Sequence, residues 1–224
     1  MSTSLYSWAF SALASLETAW AIKTAAEPVS LSEQQLVSCA HTTGNHGCQG
    51  GLMESAFTYL VNNGGACSSE EYPYTSGLVP PASVSASGST GSATTVGDGP
   101  SERDGACRPC TVVAKPRGFT ALPENDEAAL MRAVDRGVVS VAVHAGNPKF
   151  QFAGEGVFGD EDCGTELDHG MAVVGYGTEG GEPYWLVRQS WGDKWGDKGY
   201  IKMKRGVGAT GICGIAMMAS TVEV

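Results

Sequence analysis

Two side chains in this sequence are placed for nucleophilic chemistry, Ser7 and, far downstream, His169. Ser7 opens an apolar run that reads as a helix, and the amides of a helix N-terminus stabilise negative charge developing on a nucleophile or on its bound intermediate. The same position suits a serine that merely caps the helix. His169 lies in Leu167-Asp168-His169-Gly170, directly before a β run. A histidine there serves either as a general base or as a buried, hydrogen-bonded core residue. His41, His46 and His144 have no such surroundings and read as loop or surface residues, and their spacing suggests no metal site. Cys107-Arg108-Pro109-Cys110 is a CxxC without the preceding strand and following helix of a redox site, and no second CxxC completes a zinc site. Seven dispersed cysteines therefore read as a disulfide framework with one left over, in an oxidising compartment.

The elements that must position these groups are legible as patterns. Apolar residues from Trp8 through Leu16, Ala19, Trp20 and Ile22 cover most of a helix circumference, so the first helix is expected to be buried. Ser32 and Gln35 have capping-box spacing and start a short second helix ending near Cys39. After a glycine-rich loop from His41 to Gly51, the residues Leu52, Met53, Ala56, Phe57, Leu60 and Val61 are spaced as a third helix that stops at Gly64-Gly65. Residues 76–101 number 26, of which 21 are Ser, Gly, Thr, Pro or Ala, with Asp98 the only charge. Such a stretch buries too little apolar surface to offset chain entropy and reads as a disordered insertion. Glu124 to Arg136 is expected to be helical. Val138–Val143, Gly170–Tyr176, Tyr184–Gln189 and Gly199–Lys204 read as strands, the last alternating Ile201 and Met203 against Lys202 and Lys204. Helices first and an antiparallel sheet second describe an α+β chain of two lobes with a cleft between them.

Ser7-Trp8-Ala9-Phe10-Ser11-Ala12, Leu31 through Cys39, Gly47-Cys48-Gln49-Gly50-Gly51-Leu52-Met53, Leu167-Asp168-His169-Gly170 and Ser190-Trp191-Gly192 through Trp195-Gly196 follow one another in the order of the papain-like cysteine peptidases. The chain resembles that family from Ser7 to its C-terminus except for the insertion. Val141 to Gly146 and Tyr184 to Val187 are most similar to the cathepsin L branch. His169 lies 162 positions after Ser7, or 136 once the insertion is set aside, within the roughly 130–150 expected for this family. The resemblance implies a papain-like fold with a helical lobe over about 1–110 and an antiparallel, β-barrel-like lobe over about 111–224, forming one peptidase domain. It implies peptide-bond hydrolysis in the interlobe cleft, with Ser7 at the nucleophile position, His169 as base and Gln189 at the position of the orienting Asn.

Departures from the family pattern touch each part of that machinery. Ser7 replaces a thiol, so a preformed thiolate–imidazolium pair is not inherited and His169 must act during attack. Gln189 reaches about 1.5 Å further than Asn, and a misplacement near 1 Å costs roughly 100-fold, so His169 is expected to be poorly oriented. Met1 stands where the oxyanion Gln is expected. An impaired pseudopeptidase that binds peptides without cleaving them is the alternative reading. The groove is expected to use Gly50 and Gly51 as backbone for an extended peptide. Leu52, Met53, Ala142, Leu167 and Met218 are expected to line an apolar pocket for the residue two before the scissile bond. Asp168 adjoins this groove and Trp191 shields the His. By resemblance Cys163 pairs with Cys213, and Cys39 with Cys107 or Cys110. Ser4 replaces the usual partner of Cys48, leaving Cys48 unbridged or joined to Cys67 or to the remaining CxxC member. Neither an N-terminal segment nor a propeptide is expected within this chain.

With 14 Lys and Arg against 24 Asp and Glu, the net charge is −10 and the isoelectric point about 4.8, which excludes a phosphate-neutralising nucleic-acid binder. No run of 18 apolar residues is present to cross a membrane. The family implies no cofactor and no metal, and a monomer. Its implied partners are a peptide or protein substrate and propeptide-like or cystatin-like inhibitors. Its implied location is secreted or lysosomal/vacuolar.

Overall fold

The computed structural model describes residues 6–76 and 104–224. The first helix, α1 (Ser7–Thr24), ends where Ala25 turns left-handed and returns its N–H to the Ala21 carbonyl. Tyr6 holds the cap position without a side-chain capping bond, so Ser7 is the first helical residue rather than the cap. The expectation of a wholly buried helix holds only for its first half. Burial runs from Ser7 to Leu16 apart from Phe10, after which the helix emerges and leaves Ile22 61% exposed. The later turns extend past the layers that cover the beginning.

Ser32 caps α2 (Glu33–Cys39) by accepting the Gln35 N–H at 3.0 Å. The reciprocal half of a capping box is missing, because the Gln35 side chain donates to the Gly65 carbonyl and accepts the Cys67 N–H instead. After two 3-10 turns, α3 (Met53–Asn62) ends ahead of Gly64 and Gly65. The short strands β1 (Ala66–Cys67) and β2 (Val112–Ala114) pair antiparallel. Ser76 is buried and gives its N–H to Gln34 Oε1 at 2.9 Å, so it belongs to the packed helical part and not to the insertion. Residues 77–101 of that predicted insertion lie outside the described residues, as do Met1 and Ser4.

The larger sheet contains β3 (Gly118–Ala121), β4 (Val139–Val143), β5 (Val157–Phe158), β6 (His169–Glu179), β7 (Glu182–Arg188), β8 (Tyr200–Lys204) and β9 (Ala219–Glu223). Their order is β3-β9-β4-β6-β7-β8-β5, antiparallel except for β5 beside β8. Among the described residues it does not close into a barrel, which corrects the barrel-like expectation. Its two ends are the four-residue β3 and the two-residue β5, which do not pair with each other. Helix α4 (Glu127–Val134) is shorter than predicted. Asn125 takes a left-handed φ of 60° and Asp126 caps the helix by accepting the Ala129 N–H, so no helical turn forms upstream. A four-residue helix, α5 (Pro148–Gln151), has no counterpart in the sequence reading.

Two hydrophobic cores result. One joins α1, α2 and α3 to Ala114 and Ala142, and the other fills the space between α4, the sheet and the 212–215 turn. Helix α1 is tied to the sheet by hydroxyls. Ser11 donates to the Met171 carbonyl at 2.6 Å, and Ser140 donates to the Ser11 carbonyl at 2.9 Å. The second core centres on Trp185, fully buried, whose Nε1–H donates to Glu127 at 2.7 Å. Trp185→Ala is expected to cost about 3–5 kcal/mol, read as a lowered urea midpoint. An unchanged midpoint contradicts that role.

Candidate active site

Helix α1 brings Ser7 against the start of β6. Gly170 permits this approach, since a methyl group there would lie 3.1 Å from the Ser7 carbonyl and the Trp8 Cα. Ser7 is 4% exposed and its Oγ accepts the Gly170 N–H at 3.0 Å. His169, the first residue of β6, is 3% exposed. Its Nε2 lies 2.6 Å from Gln189 Oε1. An amide oxygen only accepts, so Nε2 carries the proton and Nδ1 keeps its lone pair. His169 Nδ1 is buried and has no hydrogen-bond partner.

The Gln189 amide is not displaced from His169, contrary to the expectation set by its extra methylene. The Gln189 N–H is held by the Gly199 carbonyl at 2.9 Å, and Oε1 also accepts the Ser190 N–H at 2.6 Å. The added methylene is thus absorbed in a curled side chain that still ends on Nε2. Trp191 covers the pair, its ring 5.0 Å from that of His169, and packs edge-on against Phe150 and Trp195.

Burial lowers the His169 pKa, against smaller opposing effects of the Gln189 hydrogen bond and the Asp168 charge. Neutral imidazole, the form able to take a proton, therefore prevails near neutral pH. Because the folded-state value lies below the unfolded one, the unfolded chain binds the proton first. The stability contribution of neutral His169 is present above about 6.5 and is lost as pH falls through the lowered folded value. The melting-temperature difference between this protein and His169→Gln is expected to shift in favour of the variant over that window. A difference independent of pH argues against a buried neutral imidazole.

The cleft beside these residues has a volume of about 230 Å³. Ser7, His169, Gly50, Gly51, Leu52, Met53, Ala142, Leu167, Asp168 and Met218 all line it. Every groove residue expected from the sequence is therefore assembled except Trp191, which backs His169 instead. Leu52 is 47% exposed at the rim, and Met53 is buried. Asp168 is turned partly to structure, its Oδ1 accepting the Ala145 N–H at 2.7 Å. The sequence reading missed Asn45, whose Oδ1 accepts the Leu52 N–H at 2.8 Å and holds the groove wall. It also missed Gln49 and Trp8 in the lining. The only cue for Gln49 was its place in Cys48-Gln49-Gly50-Gly51.

The disulfides resolve the cysteine alternatives. Cys39 pairs with Cys107, Cys67 with Cys110, and Cys163 with Cys213. Buried Cys48 is therefore not a disulfide cysteine, since the other six pair among themselves. His41 is not a plain surface residue either, as its Nε2 faces the Asp104 carboxylate at 3.8 Å. Among the described residues no cluster of metal ligands occurs.

A helix-borne hydroxyl, a strand-borne imidazole bonded to an amide and a cleft between the helices and the sheet are arranged as in a papain-like fold. The model of the papain family cysteine protease matches residues 6–223, and the chain belongs to that family. Its relatives include plant, cathepsin L-like enzymes. The oryzain beta chain of Oryza sativa subsp. japonica is 42% identical over 95% of this chain and 41% of its own length. The KDEL-tailed cysteine endopeptidase CEP2 of Arabidopsis thaliana is 47% identical over 95% of this chain and 52% of its own. The chain thus spans about half or less of the length of such curated relatives. Among solved structures, the bromelain protease from Ananas comosus in complex with the E64 inhibitor superposes with a TM-score of 0.81 at 33% identity, covering 98% of this chain and 89% of that one. The proform of Amb a 11, a ragweed pollen cysteine protease, gives 0.82 at 38%, covering 98% and 58%.

Proposed function

We propose that this chain is a single two-lobed papain-fold peptidase domain that binds an extended peptide in the cleft and hydrolyses it slowly through Ser7. The reading rests on Ser7 and His169 standing together at the head of an apolar groove, with Gln189 bonded to His169 from behind it. Ser7 Oγ attacks the scissile carbonyl carbon while His169 Nδ1 takes its proton, and the first-turn amides of α1 face the oxyanion. The imidazolium then protonates the leaving amine. Water, deprotonated by the same nitrogen, cleaves the acyl-serine and regenerates the hydroxyl. Gln189 is a positioning residue throughout.

One observation favours the second reading, a peptide-binding pseudopeptidase. Ser7 Oγ accepts from Gly170 while His169 Nδ1 has no partner, so the hydroxyl-to-base hydrogen bond is not made in the unliganded protein. Turnover of a fluorogenic peptide with Leu or Phe two residues before the scissile bond, compared with Ser7→Ala, separates the two. Loss of activity in Ser7→Ala supports hydrolysis, and binding without turnover in both supports recognition alone. In either case a peptide with Leu at that position is expected to bind at least about tenfold more tightly than one with Asp, which would bury an unpaired charge. Equal affinity contradicts the assigned pocket. The KDEL-tailed relative and the three disulfides support the secretory pathway or vacuole as the site of action, and the proform relatives support a propeptide-like partner.

A further inference from the structure

A second cavity, of about 260 Å³, lies between α1, the start of α2 and the end of β7. Gln189 walls this cavity, whereas His169, its partner, walls the cleft. Glu17 and Glu33 contribute carboxylates from the helical side, and Arg188 and Gln189 contribute donors from the strand side. Phe10, Ala14 and Leu31 supply apolar surface between them. Glu17 accepts the Leu31 N–H at 2.8 Å, yet among the described residues neither carboxylate forms an ion pair.

A separate observation points to an occupant. Gln189 is 6% exposed, and its Nε2 is a buried donor without an acceptor. A buried donor left unpaired carries its full desolvation cost, which a ligand oxygen would relieve. The carboxylates are likewise short of a cation. Burial raises both, Glu33 to about 7, against smaller lowering effects of the Leu31 N–H on Glu17, of Glu33's own backbone N–H and of the Arg188 charge.

We propose that this cavity binds a free apolar α-amino acid, with its ammonium group between Glu17 and Glu33 and its carboxylate accepting from Arg188 and Gln189 Nε2. The ligand's two opposite charges match the two walls, and its side chain covers Phe10, Ala14 and Leu31. The inference does not depend on peptide hydrolysis, because its readout is binding to the intact chain.

Calorimetric titration of the full chain with L-leucine tests it, alongside leucinamide, which lacks the carboxylate, and N-acetyl-leucine, which lacks the ammonium. Leucine is expected to bind in the millimolar range or tighter, and each derivative at least about tenfold more weakly. Glu33→Gln and Arg188→Gln are each expected to weaken leucine by a similar factor. Glu33 is half-buried and Arg188 exposed, so thermal melting should confirm that the variants remain folded. Leu52→Asp, in the cleft, is expected to leave leucine affinity unchanged. Absence of leucine binding, equal binding of either derivative, indifference to both cavity variants, or loss on Leu52→Asp each overturns the proposal. A cleft that fails to bind peptide leaves this test intact.

Discussion

Ser7→Cys is expected to raise peptide turnover by at least about 100-fold. The backbone that carries residue 7, the imidazole that faces the cleft and the apolar groove are already assembled, and only the acidity of the nucleophile differs. A free thiol titrates near 8.5, and a neighbouring imidazolium at a helix N-terminus lowers it further, whereas a hydroxyl remains protonated and must be activated during attack. General-base assistance supplies roughly 100- to 10,000-fold, and a preformed ion pair provides it in advance. The measurement is turnover of the same fluorogenic peptide, with the rate of iodoacetamide labelling at residue 7 as a second readout. Rapid labelling with no gain in turnover places the deficit in substrate positioning. If neither responds, His169 does not act on residue 7 and the proposed pairing is wrong.

Gln189→Ala, made in the Ser7→Cys background, is expected to lower turnover about 100-fold. Gln189 Oε1 at 2.6 Å is the partner that assigns the proton of His169 to Nε2 and leaves Nδ1 basic. Without it the ring loses its tautomer preference and its orientation, and a displacement near 1 Å has a cost of that size. The effect should fall on kcat more than on KM, because Gln189 does not line the cleft. Gln189→Asn is expected to lie between the two, since it keeps the amide but falls short by one methylene of the distance this backbone sets. Full activity in Gln189→Ala sinks the positioning role, and leaves Trp191 packing as the force that holds the ring.

How much of this was legible in the sequence divides by range. The cap at Ser32, the glycine stop after α3 and the alternation of Ile201 and Met203 with Lys202 and Lys204 were readable because each depends on neighbours within about four residues. The two glycines between β6 and β7 announce a hairpin for the same reason, both taking the positive φ that such a turn needs. Longer motifs, from Ser7-Trp8 to Leu167-Asp168-His169, were enough to resemble one family and to name most of the residues that line the cleft.

The remainder depended on distances between segments far apart in the chain. Nothing local indicates that Cys67 takes Cys110 while Cys107 goes to Cys39, because disulfide pairing follows which Cβ atoms the fold brings within bonding reach. The reading of Gln189 as too long assumed a fixed backbone; the bond from its N–H to Gly199 and the curl of its side chain are tertiary facts. Likewise, the Ser7 hydroxyl bonds the Gly170 amide 163 positions away. By itself the sequence determined the main helices, four of the strands, the family and most of the side chains that line the cleft, since these follow from side-chain type and short-range periodicity. Only the tertiary structure decided their hydrogen-bond partners, the burial that keeps His169 neutral and the cavity behind Gln189. Each of those is set by how two lobes pack, at a tolerance of a few tenths of an ångström that no spacing along the chain encodes.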